Sequence, residues 1–360
     1  MKKRNNAFFL AAGLCLLTVV ACSENICEGG NADADAVRIE FRLPGSVGGA
    51  VPVTRVMPLD TMTTHPLPEG STMWMTVSEE QSDGSWLSSD PKPYVVLASG
   101  AGYNTLHACS TTSVTEDGVE LLRIDPSVVT SPLYLKSGRY KFRMISPALD
   151  LVKTGLRAKI DNGIYFYSTD DRYENTEALP QQITVGTNGV QHIVLNPMIQ
   201  QVARMQFTLC KGENVVDLDV LPAGIEISGL QNADETEPYN WSSENIADTL
   251  KMKFGDKRGR TVIKEFRQGT TTIMENGTEV VKEAIVGDTG VLPTDARNSS
   301  ISVLFNLKVN GVPTQYMVLL NNQVLRAAYT YNYRFVISEE NGVTVATWVN
   351  QSWSTDVPLE

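Results

Sequence analysis

Alternating apolar and polar residues recur along this chain and predict a succession of short β-strands. In the first clear run, residues 37–43, charged side chains alternate with an apolar set formed by Val37, Ile39, Phe41 and Leu43. Such alternation is typical of a strand with one buried face. Comparable signals occur at 73–77, 94–98, 133–145, 203–209, 302–309 and 329–337. A strong 3.6-residue period is absent from the sequence, so the pattern predicts an all-β fold.

Turn signals between these runs predict hairpins. Asn188-Gly189 is predicted to join strands 183–185 and 192–195, because Asn-Gly favours a tight reversal of the chain. Asn310-Gly311 is predicted to join two strands in the same way. The polar stretch 251–280 is predicted to form a further hairpin, with its basic residues on the solvent side.

Short strands separated by turn signals are typical of β-sandwiches, and the pattern starts again after Pro197. The chain has 360 residues, of which 42% are hydrophobic, which is enough for two domains with real cores. We therefore predict two tandem β-sandwich domains, at residues 37–196 and 197–360.

The N-terminus has the features of an export signal. A basic start, Lys2-Lys3-Arg4, precedes the apolar run 7–20, which is too short to span a bilayer comfortably. The run ends in Val19-Val20-Ala21-Cys22, which matches a bacterial lipobox. We predict a lipoprotein signal peptide at 1–21, lipid on Cys22, a flexible tether at 22–36 and attachment to the outer membrane. The alternatives are an ordinary secretory leader cut elsewhere and a buried apolar helix.

The charge of the chain argues against nucleic-acid partners. The net charge is −11, and removal of the three basic residues of the leader leaves a mature chain near −14. An acidic surface repels phosphate backbones and anionic lipid headgroups. It does not identify a partner.

Motifs for catalysis, cofactors or metals are missing from the sequence. The three histidines, His65, His107 and His192, have no metal-ligand spacing, and no nucleophile elbow, zinc-protease motif or phosphate loop is present. We predict neither an enzyme nor a cofactor. Trp86 and Trp241 lie in polar segments and are weak candidates for contact with a glycan.

The cysteines are not predicted to hold the fold together. Cys27, Cys109 and Cys210 remain beside the lipidated cysteine, and three thiols cannot all pair. Cys210 follows an alternating strand and is expected to be buried, whereas Cys109 lies in a Ser/Thr-rich patch and is expected to be exposed. A Cys109–Cys210 bridge stays open as a minority alternative.

Four features together resemble the fimbrillin family of Bacteroidetes, the subunits of type V pili. The first is the lipobox leader. The other three are Tyr134–Phe142 followed by Pro147, the segment Leu195–Phe207, and Leu325–Tyr331 followed by 342–345 and a terminal Trp353. The resemblance implies two transthyretin-like Greek-key β-sandwiches and assembly with other pilus subunits by strand donation. It also implies an arginine-specific protease that removes an N-terminal strand.

Three arginines are candidates for that cleavage: Arg38, Arg42 and Arg55. Arg55 is favoured because it lies in a segment rich in proline and glycine, although it could equally be an ordinary loop residue. The predicted function is a fimbrial subunit for cell adhesion, exported to the cell surface as a lipid-anchored precursor. The alternatives are a pilus anchor that keeps its first strand and a surface glycan-binding lipoprotein.

Overall fold

A computed structural model describes most of the chain. The described residues are 26–27, 35–44, 46–47, 67–100, 103–154, 156–158, 161–169, 181–185, 189–196, 198–233, 254–275, 277–294, 300–321, 325, 330–340 and 343–352. All regular structure in these ranges is β-strand, which confirms the all-β prediction. Within them, no helix is long and apolar enough to cross a membrane.

Sixteen strands form the N-terminal part of the fold and are hydrogen-bonded into one sheet. They are β1 (Ile26–Cys27), β2 (Ala36–Leu43), β3 (Ser46–Val47), β4 (Thr72–Glu80), β5 (Trp86–Ser88), β6 (Lys92–Gly100), β7 (Tyr103–Glu116), β8 (Val119–Val129), β9 (Tyr134–Lys136), β10 (Gly138–Ser146), β11 (Leu151–Val152), β12 (Arg157–Ala158), β13 (Tyr167–Thr169), β14 (Gln181–Ile183), β15 (Val190–Val194) and β16 (Met198–Gln200). The main path through the sheet is β1-β9-β2-β7-β6-β4-β10-β13-β16-β3.

Nine strands form the C-terminal part, in two sheets that enclose a second core. They are β17 (Ala203–Lys211), β18 (Leu218–Ala233), β19 (Phe254–Ile263), β20 (Arg267–Glu275), β21 (Thr278–Val291), β22 (Ile301–Val309), β23 (Val312–Leu320), β24 (Thr330–Glu340) and β25 (Val343–Ser352). One sheet has the order β20-β21-β17-β24-β25 and the other β19-β18-β22-β23. Between the two sheets, the ring of Phe305 makes edge-to-face contacts with Phe207 and Phe335, which stack on each other. The alternating residues of the sequence therefore point inward as predicted.

One predicted hairpin is wrong, and a second is shorter than predicted. The strands on either side of Asn188-Gly189 do not pair as predicted: β14 pairs with β10, and β15 pairs with β2. Within residues 251–280, β20 and the start of β21 do form an antiparallel hairpin that turns between Glu275 and Thr278. The strand β19 is not part of it, because it pairs with β18 in the other sheet. The turn at Asn310-Gly311 is confirmed, with both residues at positive φ between β22 and β23.

A polar segment joins the N-terminal and C-terminal parts. The Asn162 amide donates to the Gln231 carbonyl at 2.9 Å and accepts the Leu292 N–H at 2.9 Å. Gly163 N–H donates to the Gly290 carbonyl at 2.8 Å. Beneath these bonds, apolar residues from both parts share one cluster: Trp74, Ile145, Leu149, Leu151, Phe166, Val202 and Leu292. We call this segment and cluster the joint.

Candidate functional site

The strand β2 lies in the interior of the N-terminal sheet. On one side, Arg38–Arg42 pair in parallel with Val190–Val194 of β15. On the other side, β2 pairs antiparallel with β9 at its start and with β7 at its end. The strand β2 is therefore enclosed by partners on both edges.

The apolar face of β2 is part of the N-terminal core. Val37, Ile39, Phe41 and Leu43 are 2%, 3%, 2% and 0% exposed, as the alternation predicted. The ring of Phe41 makes edge-to-face contacts with Tyr94 and Phe142, at centroid distances of 5.7 Å and 5.1 Å. Without β2, this position would be a groove with an apolar floor and two unpaired strand edges.

The arginines of β2 differ from Arg55 in their setting. Arg38 and Arg42 lie on the solvent side of β2, as predicted, but their backbones are paired on both sides. Arg55 lies outside the described residues, in the segment between β3 and β4. The strands β1, β2 and β3 all precede Arg55, and β1 and β3 pair with β9 and β16 of the same sheet. A cut at Arg55 would therefore separate three strands of the sheet from the rest of the chain.

Of the two tryptophans proposed for glycan contact, only Trp86 lies in the described part of the chain. It is half-buried in β5, and the Lys141 ammonium lies 4.2 Å from the centre of its ring. Burial is the main cause that lowers the pKa of Lys141, with the neighbouring Arg143 adding to the effect. One face of the indole is thus already covered by a cation. Trp241 and Cys22 lie outside the described residues.

Comparison with known proteins identifies the chain's relatives. The model of the fimbrillin-like family matches residues 36–357. The chain belongs to the fimbrillin-like family. The match begins at β2 and extends beyond β25, so it includes both parts of the fold.

One solved structure of a relative agrees with this assignment. A candidate cell-adhesion protein from Bacteroides fragilis is 37% identical to this fimbrillin-like chain, with a TM-score of 0.64 over 90% of this chain and 100% of that one. A fimbrial assembly protein from Parabacteroides distasonis is 11% identical, with a TM-score of 0.37 over 88% and 95%. No curated protein matches the chain. Membership of the fimbrillin-like family supports a role in fimbriae and adhesion at the cell surface, in a family of structural and adhesive proteins.

Two cysteines of the fimbrillin-like fold, Cys109 and Cys210, form no disulfide. Cys109 and Cys210 are both buried and unbridged, which confirms the expectation for Cys210 and shows that the exposed position predicted for Cys109 is wrong. The Ser/Thr-rich patch around Cys109 is the strand β7, whose alternate residues face the interior. Burial, helped by the nearby Asp125, raises the pKa of the Cys109 thiol to about 11. The possible Cys109–Cys210 bridge is excluded.

One buried carboxylate links the two parts of the molecule. Asp288 on β21 accepts hydrogen bonds from Arg204 Nε at 3.0 Å, Arg267 Nη1 at 2.6 Å and the Tyr165 hydroxyl at 2.7 Å. Burial opposes ionisation of Asp288, but these three donors outweigh it and lower its pKa. Tyr165 precedes β13 in the N-terminal part, so its hydrogen bond to Asp288 crosses the joint, whereas both ion pairs of Asp288 lie within one C-terminal sheet.

In the described ranges, no group of three or more His, Cys, Asp and Glu side chains is placed to hold a metal ion. The features that sequence analysis missed are structural: the enclosure of β2, the joint and the ionic contacts of Asp288. The motif Asp117-Gly118, with both residues at positive φ between β7 and β8, is a signal that could have revealed the long unpredicted hairpin there.

Proposed function

We propose that this chain is a structural subunit of a type V-like fimbria that mediates cell adhesion. It is exported as a lipoprotein precursor with lipid on Cys22, and an arginine-specific protease trims it at Arg55. Trimming removes β2, and a strand from another pilus subunit takes its place. The observation that carries this proposal is the position of β2, which is interior to its sheet and yet close to the N-terminus of the chain.

The energy of β2 burial is large enough to drive assembly. A fully buried aliphatic or aromatic side chain contributes about 1.5–3 kcal/mol, so the four of β2 contribute about 6–12 kcal/mol. A folded domain is stable by about 5–15 kcal/mol in total. A trimmed subunit would therefore be strongly destabilised, and an incoming strand with the same alternation would restore both the backbone pairing and the apolar burial.

The backbone setting of the arginines supports Arg55 as the cleavage site. A protease binds its substrate as an extended segment with free backbone groups. The backbones of Arg38 and Arg42 are already paired on both sides, so cleavage there would require β2 to leave the sheet first. Arg55 follows Pro52 in a sequence of glycine and proline that is unsuited to the interior of a sheet.

Limited digestion tests this proposal. The purified precursor is treated with an arginine-specific protease, and the products are followed by N-terminal sequencing and by SDS gel without boiling. We expect a new N-terminus at Val56 and a ladder of SDS-resistant multimers. Arg55→Ala should block both, whereas the matched control Arg42→Ala should block neither. Trimming at Val56 that yields only monomers would refute strand donation.

An uncleaved pilus anchor is the second candidate. It is favoured by the observation that β2 completes the sheet from the precursor's own chain, so the untrimmed protein needs no partner to fold. In that case the protein isolated from cells would begin at Cys22 with its acyl groups. Intact-mass analysis of the cell-surface protein distinguishes this form from a subunit that begins at Val56.

A further inference from the structure

A polar cleft lies on the outer face of one C-terminal sheet. On β17, the residues at odd positions point into the core, and those at even positions line the opposite face. There the register aligns four residues across neighbouring strands: Arg267, Val286, Thr208 and Arg334. Three strand spacings separate the two arginine backbones by about 14 Å.

The outer face is concave at this place. The Arg334 guanidinium on β24 donates to the Thr272 carbonyl on β20, although two strands lie between them in the sheet. An apolar cluster closes one end of the concavity: Cys210, Ile273, Ala284, Val286 and Val336. The open part is a cleft of about 260 Å³.

Hydroxyl and amide side chains dominate the lining of the cleft: Gln206, Thr208, Thr270, Thr271 and Asn332. The amide oxygen of Asn332 is buried and has no hydrogen-bond partner. A buried polar atom without a partner is uncommon in native proteins and calls for an explanation, such as a ligand that supplies the missing bond. The lining is therefore suited to a molecule rich in hydroxyl groups.

Arginines give the cleft a positive charge within an acidic protein. Arg267 and Arg334 both line it. Arg267 donates to Asp288 at 2.6 Å and to the Gln206 amide oxygen at 3.4 Å, while Asp288 is also paired with Arg204. Arg204 and Arg267 thus share the one carboxylate of Asp288, and Arg334 adds a further guanidinium group to the lining of the cleft. Guanidinium groups hold further N–H donors in a fork that matches a carboxylate or a sulfate.

We propose that this cleft binds an acidic sugar unit, carboxylated or sulfated, of a surface polysaccharide. The arginines would bind the anionic group, and the hydroxyl and amide side chains would bind the ring hydroxyls. A saccharide fits the lining better than an acidic peptide, because hydroxyl and amide groups dominate it and the ring of the lining residue Tyr333 is turned into the core against Phe207. The site is separate from Trp86 and from the groove of β2, so it adds a ligand to the proposed fimbrial role.

Calorimetric titration of the full chain tests this proposal. The probes are a hyaluronan tetrasaccharide, which carries carboxylates, a chondroitin sulfate tetrasaccharide, the neutral cellotetraose and hexaglutamate. We expect one or both acidic saccharides to bind at least about tenfold more tightly than cellotetraose and hexaglutamate. Both acidic saccharides carry carboxylates and only the second carries sulfates, so their comparison shows whether a sulfate adds to the affinity.

Three variants locate the site. Arg334→Gln removes a cationic group and should weaken binding by about tenfold or more. Asn332→Asp should do the same, because aspartate has the shape of asparagine but places a negative charge in the cleft. Arg260→Gln, exposed on β19 of the other sheet, is the control and should bind like the wild type. Melting temperatures show that each variant is folded. Equal binding of cellotetraose or hexaglutamate, or unchanged binding by a folded Asn332→Asp variant, would overturn the proposal.

Discussion

Substitution of Phe41 by alanine gives a direct test of whether β2 leaves the subunit. In the precursor, Phe41 is buried and makes two edge-to-face contacts, with Tyr94 and Phe142. Removal of a buried phenylalanine side chain costs about 3–5 kcal/mol, and each aromatic contact contributes about 0.5–1.5 kcal/mol beyond simple burial. We therefore expect Phe41→Ala to lower the unfolding free energy of the precursor by an amount near the upper end of about 3–5 kcal/mol.

Trimming at Arg55 should abolish the effect. After the cut, residue 41 belongs to the released peptide, so the trimmed variant and the trimmed wild type have the same sequence. The assay is urea unfolding followed by circular dichroism, before and after protease treatment and gel filtration. Phe207→Ala, in the C-terminal core, is the control and should destabilise both forms.

Two results would refute this reasoning. A loss below about 1 kcal/mol in the precursor would contradict the burial of Phe41, since surface substitutions stay within about ±0.5 kcal/mol. A difference that persists between the two trimmed proteins would show that the cut peptide stays bound in the groove. In that case trimming alone does not vacate the site for an incoming strand.

Three further predictions concern the joint and the thiols. Asp288→Asn should cost about 3–5 kcal/mol in unfolding free energy, because it leaves the buried Arg204 without its counter-charge. Because the pKa of Asp288 is lowered in the folded state, its ionised form stabilises the fold at pH values above the ordinary pKa of 3.8, and this stabilisation is lost as the pH falls through the folded-state pKa. The unfolding free energy should therefore fall less steeply with acidification in the Asp288→Asn variant than in the wild type. Asn162→Ala removes two hydrogen bonds across the joint, each worth about 1 kcal/mol, and should speed proteolysis between the two parts, as followed by gel. Cys109 and Cys210 should react with a thiol reagent only after unfolding, because both are buried and Cys109 has a raised pKa; a fast reaction in the native state would contradict their placement.

The sequence predicts individual strands well because alternation is a local property. The face of β2, the turn at Asn310-Gly311 and the inward residues of β17 follow directly from period two. The partners of those strands do not. The strand β15 lies about 150 residues after β2 in the chain, and nothing in either segment specifies the pairing.

Turn dipeptides are weaker evidence than alternation. Asn188-Gly189 permits a reversal, but the strands beside it pair with β10 and β2 instead of with each other. Residues 264–266 separate β19 from β20 and include Phe266, whose ring lies against Gly287. That contact accompanies the passage of the chain from one sheet to the other. The cleft was beyond local prediction, because its residues come from four strands that meet only in the folded sheet.

The neighbours of β2 differ in direction, and this difference gives the groove a polarity. β2 runs parallel to β15 and antiparallel to β9 and β7. Parallel and antiparallel ladders place their hydrogen bonds differently, so an incoming strand matches both edges in one direction only. Every subunit joined in this way would face the same way along the fibre. A fimbria built from this chain would therefore have two different ends, one at which strands are offered and one at which they are received.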